Sequence, residues 1–189
     1  MLVHLVGSRY EITKHIEHLR TLVKVIRKSG YELADDWVDE SYNSQKGGKD
    51  FKETDWSVLY QDSVEAINRA DVVIAETSTP SFSVGYQVAL AVSMKKPILV
   101  LNREGVEKSF FASGIEAGVE YAKYTPEDVE TTVERFLKDN DVKVKDMRFN
   151  FFIDRKIYNY LRWASLKTGK TKAAVLRDLV SEEISKKTE

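Results

Sequence analysis

The stretch Ala70-Asp71-Val72-Val73-Ile74-Ala75-Glu76-Thr77-Ser78-Thr79-Pro80-Ser81-Phe82-Ser83-Val84-Gly85-Tyr86-Gln87 decides the fold of this 189-residue chain. Asp71 to Ala75 is short, apolar and β-branched, the pattern of a strand buried on both faces. Thr77 to Ser81 is a polar turn, and Ser83 to Met94 reads as a helix. A strand, turn and helix in this order put the turn beyond the carboxyl end of a strand, where open α/β sheets hold ligands.

The same alternation runs outward on both sides. Leu2 to Val6 is β-prone and is followed at once by Gly7-Ser8. Ile12 to Lys28 has helical periodicity through Ile16, Leu19, Val23 and Ile26, with Gly30 as the stop. Tyr31 to Val38 is a candidate second strand, Asp39 to Asp55 a polar loop, and Trp56 to Ala70 a helix. Asp71 is expected to cap the entrance of its strand. Pro97 to Leu101 and Val119 to Ala122 are further strands, and Pro126 opens a last helix through Val129, Val133 and Leu137. Short apolar strands alternating with helices predict a Rossmann-like α/β domain over residues 1–138, a mostly parallel sheet with helices on both faces. GxGxxG and P-loop motifs are absent, which argues against dinucleotide binding and NTP hydrolysis.

Composition bounds the rest. Hydrophobic residues make up 42% of the chain, enough for a real core, yet no apolar run reaches the ~18 residues of a membrane span. The first residues lack the basic flank of a signal peptide, and cysteine is absent, so thiolate metal sites are excluded and a cytoplasmic location is expected. No cofactor is called for, and no metal. His15 and His18 are spaced i, i+3 near His4, but no acidic partner motif follows, so a solvated helix face is expected. The formal charge of −1 hides a split: Lys143 to Glu189 carries twelve Lys/Arg against six Asp/Glu. A basic C-terminal module is compatible with an anionic partner.

Residues 70–101 closely resemble the signature of the nucleoside 2-deoxyribosyltransferase-like superfamily, which includes deoxynucleotide N-glycosidases. Asp71, Glu76, Pro80, Ser81, Gly85 and Tyr86 stand at motif positions, and looser similarity covers most of residues 2–138. The resemblance implies a nucleoside or nucleoside monophosphate ligand of the deoxyribose 5′-phosphate type. Within it, Ser81 matches a serine that contacts sugar or phosphate, and Gly85 lets the ligand approach helix backbone. Ser109, with Ser113 as fallback, matches a serine that reaches a neighbouring subunit's phosphate, and Gly7-Ser8 matches the first-strand turn, where Arg9 supplies a charge.

Two departures touch the chemistry. Gln87 stands where the superfamily has its nucleophilic glutamate, and Ser63 stands where it tends to have an aspartate, with Asp62 adjacent. Cleavage of an N-glycosidic bond builds positive charge at the anomeric carbon and needs a carboxylate beside it. A neutral amide makes a very poor nucleophile, so impaired catalysis is expected. The alternatives are an active N-glycosidase or deoxyribosyltransferase that uses Glu76 or Asp62, or Gln87 as an engineered replacement of a native glutamate. Glu76 is more readily read as a buttress of the following loop. Tyr86 and Trp37 are candidates for stacking on a base.

Residues 139–146 read as a linker. Beyond it, Met147 to Asp154 reads as a strand, Arg155 to Lys167 as a helix ended by Gly169, and a second helix starts at Thr171. The segment 147–189 resembles a ribbon-helix-helix module, which implies a homodimer or higher even oligomer with paired strands. In that register Arg148, Asn150 and Phe152 face outward to DNA bases, and Lys170, Thr171 and Lys172 meet a phosphate. A DNA-binding transcriptional regulator and a pure dimerisation clip both remain open.

Overall fold

The computed structural model describes residues 1–47, 55–105, 118–141 and 151–187. The chain divides into two compact units, 1–146 and 147–189.

In the first unit five strands, β1 (Leu2–Val6), β2 (Glu32–Leu33), β3 (Val72–Glu76), β4 (Ile98–Arg103) and β5 (Val119–Tyr124), form one sheet in the order β2-β1-β3-β4-β5. Every pairing is parallel. The helices of this unit are α1 (Ile16–Lys28), α2 (Trp37–Lys46), α3 (Trp56–Arg69), α4 (Phe82–Ser93) and α5 (Val129–Asp141), and a short 3-10 turn over Ile12–Lys14 precedes α1. The expected doubly covered α/β sheet is thus the fold, and its order places a topological switch between β1 and β3.

Alternation along the strands assigns the two faces. Val3, Leu5, Val72, Ile74, Leu99 and Leu101 pack with α1, α2 and α5. Val6, Val73, Ala75, Ile98 and Val100 pack with Val84, Val88 and Ala91 of α4 and Ile67 of α3. Each fully buried Leu or Ile here contributes about 1.5–3 kcal/mol relative to exposure. Asp71 accepts a hydrogen bond from the Leu2 amide at 2.7 Å and ties the entrance of β3 to β1. Gly7 is required by close approach: a Cβ there would lie 2.8 Å from Leu19 Cδ2 and 3.4 Å from the Trp37 ring.

Several boundaries differ from the sequence reading. The expected loop begins as α2, because Trp37 and Val38 are buried and the Trp37 indole donates to the Leu5 carbonyl at 2.8 Å. That burial outweighs the weak helix propensity of Asp39, Ser41, Asn43 and Ser44. The same helix shortens the expected second strand to Glu32–Leu33. Helix α5 continues to Asp141 and absorbs the first residues of the expected linker, with Asn140 donating to the Phe136 carbonyl at 2.8 Å.

The second unit is a helix pair, α6 (Arg155–Thr168) and α7 (Lys172–Lys187), packed through Leu161, Ala164 and Val175. Asp154 caps α6 by accepting from the Ile157 amide at 2.8 Å, and Gly169 at φ +70° ends it. Residues 151–154 form no strand, so the later half of the strand expected over Met147 to Asp154 is corrected. The earlier half, with Arg148 and Asn150, lies outside the described residues. No described helix is long and apolar enough to cross a membrane.

Candidate functional site

A cavity of about 560 Å³ opens at the carboxyl edge of the sheet, on the α4 face, beside the β1/β3 switch. Three segments build it. The β1 turn supplies Gly7, Arg9 and Tyr10. Helix α3 supplies Trp56, Leu59, Tyr60, Ser63 and Val64, and α4 with its cap supplies Ser81, Phe82, Ser83, Tyr86, Gln87 and Leu90. Trp56, Tyr60, Ser63 and Val64 fall on one face of α3 by helical spacing, as Phe82, Tyr86, Gln87 and Leu90 do on α4. Asp55 fixes the start of α3 by accepting from the Ser57 and Val58 amides, and Ser81 fixes that of α4 by accepting from the Val84 amide at 3.5 Å. No described lining residue is acidic.

The Ser81 and Ser83 hydroxyls lie 2.9 Å apart. The Tyr60 and Tyr86 hydroxyls are 3.0 Å apart, with ring centroids at 5.8 Å, and this contact raises the Tyr86 pKa. Gln87 Oε1 lies 3.3 Å from His4 Nε2. His4 is buried beneath the cavity on β1, and burial, together with the Arg9 charge, lowers its pKa from 6.5 to about 4.

Arg9 is the cation among the described lining residues. Its guanidinium lies 4.4 Å above the Trp37 ring, donates to Ser41 Oγ at 2.6 Å and stands 3.6 Å from Asp35. Burial lowers the pKa of Arg9 and raises that of Asp35, with the ion pair acting against both shifts.

The other candidate residues are placed differently. Glu76 does not line the cavity. Its side chain has the parity of Val72 and Ile74 and so faces α1 and α5, away from α4. There it is 2% exposed and accepts from the Ser78 amide at 3.2 Å, from the Ser78 hydroxyl, and from the Tyr124 hydroxyl at 3.2 Å, with Arg103 Nε at 4.0 Å. Burial next to Glu76 pushes the Tyr124 hydroxyl pKa well up. Asp62 is exposed on α3 outside the lining, where its charge acts on Arg9 and Asp35. Ser8 is buried with its hydroxyl unpartnered among the described residues and its carbonyl 2.9 Å from His15 Nε2. Gly85 belongs to α4 but not to the lining, and Trp37 is core. Ser109 and Ser113 lie outside the described residues.

The expectation that His15 and His18 form a solvated helix face is corrected. His15 is buried, and His18 accepts from Arg103 Nη1 at 2.9 Å, its pKa lowered first by burial and then by that cation. No group of three metal-ligating residues occurs among the described residues. In the second unit Phe152 is fully exposed. Lys170 pairs with Asp178 at 2.7 Å, Lys172 lies 4.4 Å over the Tyr158 ring, and the Thr171 hydroxyl caps α7 through the Ala174 amide at 3.2 Å.

Sequence reading passed over His4, Leu59, Tyr60 and Phe82 as site residues. The available signals were a lone histidine inside an apolar strand and two aromatic pairs spaced i, i+4, Trp56 with Tyr60 and Phe82 with Tyr86.

The chain is 30% identical over 127 residues to 5-hydroxymethyl-dUMP N-hydrolase of Mus musculus, covering 65% of this chain and 68% of that protein. It is 30% identical over 121 residues to the Esox lucius protein of the same name, covering 62% and 82%. The Danio rerio protein is 29% identical over 136 residues, covering 70% and 90%. The structure of Clostridium botulinum CMP N-glycosidase, BcmB, aligns with a TM-score of 0.47 at 18% identity, over 73% of this chain and 99% of that one. No protein-family model matches the chain.

Proposed function

The chain belongs to the family of the 5-hydroxymethyl-dUMP N-hydrolases, within the nucleoside 2-deoxyribosyltransferase-like N-glycosidases, and from that premise we propose that its cavity binds a nucleoside monophosphate without efficiently cleaving it. One observation carries the reading. Among the described lining residues no carboxylate meets the cavity, and the position suited to one holds the neutral Gln87. Departure of a base leaves oxocarbenium-like charge on the sugar, which an amide cannot neutralise as a carboxylate does. The remaining lining suits binding. Aromatic rings of Trp56, Tyr60 and Tyr86 offer faces for a base, Ser81 and Ser83 offer hydroxyls to the sugar, and Arg9 offers a partly buried charge to the phosphate.

Titration calorimetry with 5-hydroxymethyl-dUMP and with its nucleoside tests this. The nucleotide should bind saturably, the nucleoside more weakly, and Arg9→Ala should weaken the nucleotide by about tenfold or more while leaving the nucleoside nearly unchanged. Chromatography should find no free base after prolonged incubation. Absence of binding would remove the cavity reading, and rapid base release would replace it with cleavage by another carboxylate.

For the second unit we propose self-association. Among the described residues it leaves Ile157, Trp163, Leu166, Leu179 and Val180 exposed, more apolar surface than a small unit commonly keeps uncovered. Light scattering on the full chain should give an even oligomer that Leu166→Glu/Val180→Glu dissociates. A monomeric wild type at micromolar concentration would sink the idea.

A further inference from the structure

His4 sits in β1, pairs in register with Val73 and is 1% exposed. Its Nε2 meets Gln87 Oε1 at 3.3 Å, and its Nδ1 is buried with no hydrogen-bond partner among the described residues. These facts together orient a group that looks symmetrical. An amide oxygen only accepts, so the contact requires the imidazole proton on Nε2. Turning the amide over would make its NH2 donate to a bare Nε2 and would drive the ring proton to Nδ1. That leaves a buried N–H without an acceptor, a costlier orphan than a bare ring lone pair. A doubly protonated ring fails as well: it would bring a buried charge close to Arg9, and burial with Arg9 already holds His4 neutral.

We propose that His4 is a positioning residue that locks Gln87 with its amide N–H toward the cavity, so that the site selects a ligand presenting a hydrogen-bond acceptor there, such as a pentose hydroxyl or ring oxygen. A carboxylate in place of Gln87 would present only acceptors, so the pair sets the polarity of this wall as well as its charge. Only the identity of the ligand rests on the reading of the cavity as a nucleotide site.

The first test needs no ligand. Long-range proton–nitrogen correlation spectra of the full chain report which ring nitrogen carries the proton. A proton on Nε2 is expected, and one on Nδ1 overturns the proposal. The second test titrates 5-hydroxymethyl-dUMP. His4→Phe removes the donor and should lower affinity about tenfold, whereas His4→Gln returns a donor near the Nε2 position and should recover most of it. Unchanged affinity in His4→Phe overturns the selection of an acceptor. If wild-type protein ignores the nucleotide, the cavity reading fails, while the ring tautomer still decides the role of His4.

Discussion

Glu76 and Gln87 stand near the same carboxyl edge of the sheet, on opposite faces, and their surroundings differ in kind. On the α1 side the Glu76 carboxylate is enclosed by Ser78, Tyr124 and Arg103, each offering it a donor or a positive charge. On the α4 side the Gln87 amide meets His4 among the described residues and opens onto a cavity. The side with a charge has spent it on structure, and the side with space shows no carboxylate among its described lining residues. A buried carboxylate survives only where donors compensate its desolvation, and those donors leave it little capacity for a ligand. Acidity near the strand end therefore does not by itself place a side chain at the cavity, and side-chain parity is the better guide.

The comparison can be broken most forcefully at Glu76. Glu76→Ala would leave Arg103 without its carboxylate and the Ser78 and Tyr124 hydroxyls without their acceptor, and should cost about 3–5 kcal/mol of stability in denaturant unfolding. Nucleotide affinity of the folded fraction should stay the same. A loss of affinity larger than the loss of stability would put Glu76 into the binding site after all.

The cavity side should respond to acid. The folded protein keeps His4 neutral down to about pH 4, while the unfolded chain gains that proton below about 6.5. The unfolded state then binds more protons, so stability present above pH 6.5 is lost as the pH falls toward 4, by up to about 3 kcal/mol. Denaturation curves across that window should fall more steeply for wild type than for His4→Phe. Parallel curves would show that this histidine titrates normally.

The contrast sharpens in the other direction with Gln87→Glu, which places a carboxylate where the described lining has none. Release of base from 5-hydroxymethyl-dUMP should rise by about two orders of magnitude over wild type, measured chromatographically. If the variant binds the nucleotide but releases no base, the deficit lies in more than one residue, and Ser63 on α3 becomes the next position to change.

Much of this was legible in the sequence. Alternating apolar strands and periodic helices determine a parallel α/β sheet, because both signals follow from local periodicity and burial. The run from Ala70 to Gln87 likewise carries its strand, its polar turn and its helix in order, and the neutral amide at Gln87 is plain in it. Tertiary structure alone decided that Glu76 turns away from the cavity, that His4 lies under Gln87, and that Asp39 to Lys46 coil into a helix against the sheet. Those outcomes depend on which residues of distant segments share one face. Strand register and the burial of Trp37 fix that only when the whole chain packs.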